Sequence, residues 1–428
     1  MAIYMEQREK VVLAGANLNN DVNFTNSMKE LEKLAGACDL EVVGTLYQHL
    51  DRIQSYAYFG KGKVEELSEY RKEQEADTVV FNDELSPSQI RNLEEALNCK
   101  VIDRTVLILD IFSSRARTKE AQLQVEVARL KYMLPRLSGL RESLGRQGGG
   151  AGLRNKGAGE TKLELDRRKI EDRISRLESE LAELALRRQN QRKRRQKQEI
   201  PVAALVGYTN AGKSTIMNAL MEYTNSEEDK QVFAKDMLFA TLETSVRNIS
   251  FPDNKSFLLT DTVGFISKLP HHLVKAFRST LEEVSEADLL LHVIDYSDPD
   301  YELHKTVTHE TLKELGADTI PVLYVYNKTD KAGIDTESVK KAEEEASSIY
   351  ISAKSKEGVK ALVERIKSLI FADYMEYQLL IPYDKGGIVS YLNEKATVLE
   401  TKYEENGIWL SIEGNRADYE KYRMYEKK

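Results

Sequence analysis

The chain has 428 residues and a formal net charge of −8, with 41% hydrophobic and 31% charged residues, enough length for about three separately packed cores. This balance excludes a disordered chain, the absence of any run of about 18 apolar residues argues against a membrane span, and the net negative charge argues against indiscriminate binding to nucleic acid. Two cysteines, Cys38 and Cys99, and six scattered histidines show no metal-ligand spacing, and the first ten residues lack the apolar core of a secretion signal, so a cytoplasmic protein with free thiols is expected.

From residue 10 to about residue 105, strand-like runs at 11–15, 41–46, 78–81 and 101–102 alternate with amphipathic runs at 27–34, 64–74 and 87–97. Such alternation predicts a small parallel α/β domain, expected over residues 1–112. Ser86 followed by Pro87 reads as an N-cap with proline at the first helical position. Phe59, Gly60, Lys61, Gly62 and Lys63 read as a basic turn or an RNA contact ahead of the second helix.

A helical arm is expected over residues 113–198. Arg115, Arg117, Lys119, Arg129, Lys131 and Arg136 predict an electropositive side on its first part. Residues 148–159 are rich in glycine and carry Arg154 and Lys156, with Arg146 and Lys162 flanking them. That composition predicts a flexible basic loop able to fold over phosphates when RNA is present. Ile170, Ile174, Leu177, Leu181 and Leu184 then recur at coiled-coil spacing, predicting an antiparallel pair with the helix near residues 117–134. Over residues 141–200, 17 Lys/Arg stand against 10 Asp/Glu, ending in a basic run from Arg192 to Lys197, so this region is suited to a polyanion.

Residues 199–371 contain four elements in a fixed order, each at the end of a strand signal. The apolar run at 202–206 leads into Gly207, Tyr208, Thr209, Asn210, Ala211, Gly212, Lys213 and Ser214, which reads G-x-x-x-x-G-K-[ST], with Thr215 opening a helix. Glycines let successive N–H groups turn inward on a phosphate chain, Lys213 adds positive charge, Ser214 offers a hydroxyl to Mg²⁺, and the helix N-terminus faces the phosphates. The run at 256–260 ends in Asp261, Thr262, Val263 and Gly264, a D-x-x-G in which Asp261 can hold Mg²⁺ and the Gly264 N–H can sense a γ-phosphate. The run at 321–326 ends in Asn327, Lys328, Thr329 and Asp330. The Asp330 carboxylate can accept both donors of the guanine edge, a pair that adenine lacks, so the expected ligands are GTP and GDP. A short strand at 349–351 leads to Ser352, Ala353 and Lys354, whose backbone could contact the guanine O6. Phe265 follows the D-x-x-G where Ras-like enzymes carry a water-orienting glutamine, so intrinsic hydrolysis is expected to be slow.

Residues 372–428 predict a small α+β module, with a strand at 378–382, a helix at 388–394 and a hairpin from 397–403 and 407–412. The whole is expected to be an α/β multidomain protein: an N-terminal parallel α/β domain, a coiled-coil arm, a P-loop G domain and a small C-terminal α+β domain.

The four nucleotide elements resemble a translation-factor-class G domain. Phe239, Ala240, Thr241, Leu242, Glu243 and Thr244 supply two candidate switch threonines for Mg²⁺, and similarity to the family pattern F-A-T-L favours Thr241 over Thr244. The resemblance thus implies Lys213, Thr241 and Gly264 as catalytic residues and Ser214, Thr241 and Asp261 as metal ligands. In related GTPases an asparagine at the Asn210 position can help to coordinate K⁺, bracing of the loop being the alternative. The segments at 101–112, 116–137, 148–160 and 161–168 are more specific, and with the N-terminal domain they resemble the HflX family of ribosome-associated GTPases over about residues 10–371. This resemblance implies binding to the large ribosomal subunit and its rRNA, ribosome-stimulated GTP hydrolysis, and the splitting or rescue of stalled ribosomes under stress. A monomer is expected, and the alternative reading is a nucleotide-regulated protein adaptor without ribosome action.

Overall fold

The computed structural model describes residues 8–147, 155–196, 200–224, 239, 245–270, 273, 283–332 and 347–427. The chain forms two compact units, one made of Met1–Gln191 with Asp236–Glu243 and Ile266–Ser279, the other of Arg192–Lys235, Thr244–Phe265 and Thr280–Lys428. No helix of the described residues is long and apolar enough to cross a membrane.

In the first unit, β1 (Lys10–Leu18), β2 (Glu41–Leu50), β3 (Thr78–Phe81) and β4 (Lys100–Asp103) form a parallel sheet in the order β2-β1-β3-β4. The central strands β1 and β3 are apolar on both faces because helices α1 (Phe24–Ala37), α2 (Lys61–Glu73) and α3 (Pro87–Leu97) connect parallel neighbours and cover the sheet. Ser86 caps α3 through a reciprocal pair: its hydroxyl accepts from the Gln89 N–H and the Gln89 side chain accepts from the Ser86 N–H. The glycine-lysine turn is the start of α2, with Gly60 as its N-cap and Lys63 paired to Glu66 at 2.7 Å.

The end of β4 is the polar hinge of this unit. Asp103 is 0% exposed, caps α4 (Arg104–Arg115) by accepting from the Val106 N–H, and accepts from the Leu85 N–H at 3.0 Å and from the Tyr132 hydroxyl. The next residue, Arg104, is 2% exposed and pairs with Glu30, Asn82 and the Ser267 carbonyl. Burying a guanidinium is tolerable only because these partners replace its water.

The arm consists of α5 (Lys119–Gln147) and α6 (Asn155–Gln196). Leu177 is buried against Leu123 and Val127, with Leu130, Leu181 and Leu184 beside them. Glu126 meets Arg173 and Lys119 meets Glu180, so the two helices run antiparallel, as the seam predicts. Two expectations change. Lys119 and Lys131 pair with Glu180 and Glu178, Arg129 with Asp110, and Arg136 lies near Glu84 and Asp103. The electropositive side expected there is therefore in part neutralised, for Lys119 and Lys131 by carboxylates of the partner helix and for Arg129 and Arg136 by carboxylates of other segments of this unit. Helix α6 also begins at Asn155, so residues 155–159 are helical and not loop. Glycine in a helix costs about 1 kcal/mol against alanine, which a helix of 42 residues can absorb. Residues 148–154 lie outside the described residues, as do the side chains of the basic run at 192–197.

The second unit carries a six-stranded sheet of β5 (Val202–Gly207), β6 (Ser245–Ser250), β7 (Ser256–Asp261), β8 (Leu289–Asp295), β9 (Val322–Asn327) and β10 (Ser348–Tyr350), in the order β10-β9-β8-β5-β7-β6. All neighbours are parallel except β6 and β7. Leu205, Leu259, Leu291 and Leu323 of the sheet pack with Ile216 and Leu220 of α7 (Lys213–Tyr223) on one face. This topology brings the carboxyl ends of β5, β7, β8 and β9 to one edge, where ligands of open α/β sheets bind.

A third, antiparallel sheet joins this unit: β11 (Tyr374–Ile381), β12 (Thr397–Glu404) and β13 (Gly407–Asn415), in the order β11-β13-β12. The hairpin and the helix Gly386–Lys395 match the sequence expectation. Arg416–Tyr422 is a helix that periodicity did not reveal, being only 7 residues long; its signal was the cap residue Asn415, which accepts from the Asp418 N–H. Lys255 with Glu413 and Lys367 with Asp253 tie this sheet and its preceding helix to the β6-β7 turn.

Candidate functional site

The loop after β5 is shaped by what its residues cannot avoid. Gly212 has φ +100°, and a Cβ there would lie 2.2 Å from Asn327 Nδ2, so both backbone conformation and space require glycine. Lys213 is 6% exposed, and its ammonium donates to the Gly207 and Tyr208 carbonyls at 3.0 and 2.9 Å. Burial lowers its pKa to about 8, against the opposing pull of the Asp261 carboxylate. Ser214 Oγ donates to Asp261 Oδ2 at 2.7 Å, which brings together the two hard oxygen ligands expected for Mg²⁺, one from the first turn of α7 and the other from the end of β7. Hydroxyl and carboxylate oxygens suit that ion, and neither group would have to leave its element to share it. Among the described residues no group of three or more His, Cys, Asp or Glu side chains could hold a metal elsewhere.

The D-x-x-G segment lies directly on this loop. A Cβ on Gly264 would meet Thr209 Cα at 2.8 Å and Lys213 Nζ at 2.9 Å. The Phe265 carbonyl accepts from the Thr209 N–H at 2.8 Å, and its N–H donates to the Gly207 carbonyl. The Phe265 ring is 3% exposed and packs with Val206, Val284 and Leu290, so it is turned into the core. Thr262 and Val263 are also buried, and the Thr262 hydroxyl donates to the Leu205 carbonyl at 2.6 Å; both brace the sheet. Asn210 is exposed with φ +62°, and among the described residues its side chain makes no hydrogen bond that would brace the loop.

Asn327 joins the two ends of the site. Its Nδ2 donates to the Ala211 carbonyl at 2.9 Å and its Oδ1 accepts from the Ala353 N–H at 3.0 Å. Asp330 is exposed, but its Oδ1 accepts from the buried Ser352 hydroxyl at 2.7 Å, and that oxygen in turn accepts from the Ser355 N–H. A carboxylate held in this way is aimed before a ligand arrives, and such preorganisation lowers the cost of binding. Lys328 is held by Asp295 at 2.7 Å, while Thr329 is buried and Lys354 exposed. Asp295 belongs to no motif, although it ends the apolar run Leu289–Asp295 as Asp261 and Asn327 end theirs. The stack of Tyr208 on His304, 3.9 Å between ring centroids and 14° between planes, has no sequence signal because His304 comes from the helix Tyr301–Glu314.

Of the remaining candidates, Thr215 lies in α7 behind Ser214, and Phe239 lies in the first unit, edge-on to Phe112 with ring centroids 4.7 Å apart. Ala240, Thr241, Leu242, Glu243 and Thr244 lie outside the described residues.

Residues 25–113 match the family "GTP-binding GTPase N-terminal", 115–195 "GTP-binding GTPase Middle Region", 202–328 "50S ribosome-binding GTPase" and 337–420 "HflX C-terminal domain". The chain is 47% identical over 408 residues to GTPase HflX of Caldanaerobacter subterraneus subsp. tengcongensis, covering 95% of this chain and 91% of that protein. It is 45% identical over 412 residues to GTPase HflX of Alkalihalophilus pseudofirmus (96% and 94% covered) and 37% identical over 400 residues to that of Escherichia coli K12 (93% and 92% covered). The chain belongs to the HflX family of GTPases, and its reaction is the hydrolysis of GTP to GDP and phosphate.

Proposed function

We propose that this GTPase binds the large ribosomal subunit and uses the difference between its GTP and GDP forms to split or rescue stalled ribosomes under stress. The observation that carries this reading is the match of the nucleotide-site strands to a family described as 50S ribosome-binding GTPases; the basic composition of residues 141–200 adds a region suited to rRNA. In the proposed site, Lys213 and the N–H groups of the Gly207 to Thr215 loop hold the phosphates, and Gly264 reads the terminal one. Asp330 selects guanine, with Ser352, Ala353 and Lys354 closing over its O6 edge. Ser214 and Asp261, joined by Thr241, would hold Mg²⁺, which when bound neutralises charge on the phosphates; Asn210 would add a side-chain oxygen for K⁺. GTP orders the switch segments into the ribosome-binding form, and their release after hydrolysis lowers that affinity.

The test is GTP turnover by the purified chain, alone and with isolated large subunits, beside a variant lacking residues 148–154. Stimulation of at least about tenfold that is lost in the deletion is the expected result, since ordering of a catalytic site by a partner is commonly worth several powers of ten in such enzymes. Unchanged turnover with subunits would overturn the ribosomal reading in favour of a protein adaptor.

Nucleotide binding should also take up protons above neutral pH. In the free protein burial holds the Lys213 pKa near 8, whereas phosphates around the ammonium favour its charged form. Between about pH 8 and the usual lysine range near 10.4, the free protein has lost a proton that the complex regains, so GDP affinity should fall as pH rises through this window. Calorimetric titration in two buffers of different ionisation enthalpy measures this uptake directly; identical apparent enthalpies at pH 8.5 would refute it.

A further inference from the structure

Among the described residues, one buried side-chain hydroxyl of the phosphate-binding loop has no partner. Thr209 is 7% exposed, and its Oγ1 is buried and makes no hydrogen bond. A buried hydroxyl in that condition has lost its bonds to water without replacement, which is uncommon unless a ligand or solvent enters beside it.

Its surroundings indicate what would enter. A Cβ built on Gly264 would stand 2.9 Å from Thr209 Cγ2 and 2.9 Å from Lys213 Nζ. The methyl branch of the threonine, the lysine ammonium and the D-x-x-G glycine therefore converge on one small space, and the hydroxyl is the other branch on the same Cβ. A nucleotide held by Lys213 places its terminal phosphoryl group there, the part of GTP that GDP lacks. The position after the D-x-x-G offers no side chain to that space, because Phe265 is packed into the core. Thr209 is well placed to supply one: its N–H is anchored on the Phe265 carbonyl at 2.8 Å, and a β-branched side chain has few χ1 states to lose.

We propose that the Thr209 hydroxyl touches the terminal phosphoryl group of GTP and is a catalytic residue of hydrolysis, a role that rests on the site reading given above. As the water oxygen bonds to the γ-phosphorus and the bond to the β-γ bridging oxygen breaks, the hydroxyl donates to a γ-phosphoryl oxygen and keeps its proton. The water's protons end on the released phosphate, and GDP leaves. The contact strengthens as charge shifts on the transferred group, so it acts on turnover more than on GDP binding.

The experiment compares Thr209→Val, which keeps the branch and removes the hydroxyl, with Thr209→Ser, which keeps the hydroxyl. Single-turnover hydrolysis at saturating GTP should fall about a hundredfold in Thr209→Val, with GDP affinity within about threefold of the parent, as for loss of one transition-state donor. Thr209→Ser should retain most of the rate. Thr209→Val hydrolysing GTP at the parent rate overturns the proposal. Should valine disturb the loop enough to abolish GDP binding, Thr209→Ala against Thr209→Ser decides, and equal rates for those two overturn it. Undiminished GTP affinity in Lys213→Ala would instead overturn the site reading itself.

Discussion

Asp330→Asn is expected to weaken GTP binding by roughly a hundredfold to ten-thousandfold and to shift preference toward xanthine nucleotides. Each hydrogen bond to a charged group contributes about 1.5–3 kcal/mol, and a site built to pair a polar edge discriminates strongly against the wrong one. In the proposed site the carboxylate would accept the two guanine donors, N1–H and N2–H₂. An amide in its place offers one acceptor and one donor, so it opposes the guanine amino group but complements xanthine, whose C2 carries an oxygen. Asp330 is already positioned by the Ser352 hydroxyl at 2.7 Å, and the amide oxygen of asparagine can take the same bond, so the loop should keep its shape. Competition binding of GTP and XTP to the parent and the variant measures the change, and an unchanged ratio would remove Asp330 from base selection.

Asp103→Ala should destabilise the first unit by about 3–5 kcal/mol, the usual cost of removing one partner from a buried charged network. The fully buried carboxylate receives the Leu85 N–H, the Val106 N–H and the Tyr132 hydroxyl, with the Arg136 guanidinium 3.6 Å away. Alanine would deprive the two N–H groups and the hydroxyl of this acceptor at once and leave α4 without its cap. The loss should appear as a lower-temperature unfolding transition by calorimetry, while GDP still shifts the transition of the second unit upward, because binding stabilises only the unit that binds. A change below about 1 kcal/mol, typical of surface substitutions, would show that Asp103 does not hold the unit together. The desolvated Tyr132 hydroxyl, whose pKa is raised first by burial and then by the Asp103 charge, marks the same junction from the arm.

The nucleotide site was legible because its chemistry is local. A glycine-rich turn, a carboxylate at the end of a strand and an amide-lysine-carboxylate run each declare themselves within eight residues, and parallel strands bring such ends together whatever lies between them. Asp295, Ser352 as the support of Asp330, and Tyr208 against His304 were not legible in those roles. Each acts through a partner 22 to 96 residues away in the chain, and no spacing rule connects such pairs. The partial neutralisation of the arm's basic side was hidden for a related reason: charge counted along one helix ignores the carboxylates that the partner helix and other segments bring opposite.

By itself the amino-acid sequence determined the order of the elements, the antiparallel seam of the arm and the choice of candidate phosphate and guanine groups, since each depends on periodicity or on side-chain chemistry at short range. Only the tertiary structure decided which of those groups are constrained. It turned Phe265 into the core, buried Lys213 until its pKa fell, made Asp103 the joint between sheet and arm, and left the Thr209 hydroxyl buried without a partner. The physical reason is that desolvation and hydrogen-bond satisfaction are properties of a packed surrounding, and that surrounding is assembled from segments the sequence holds far apart.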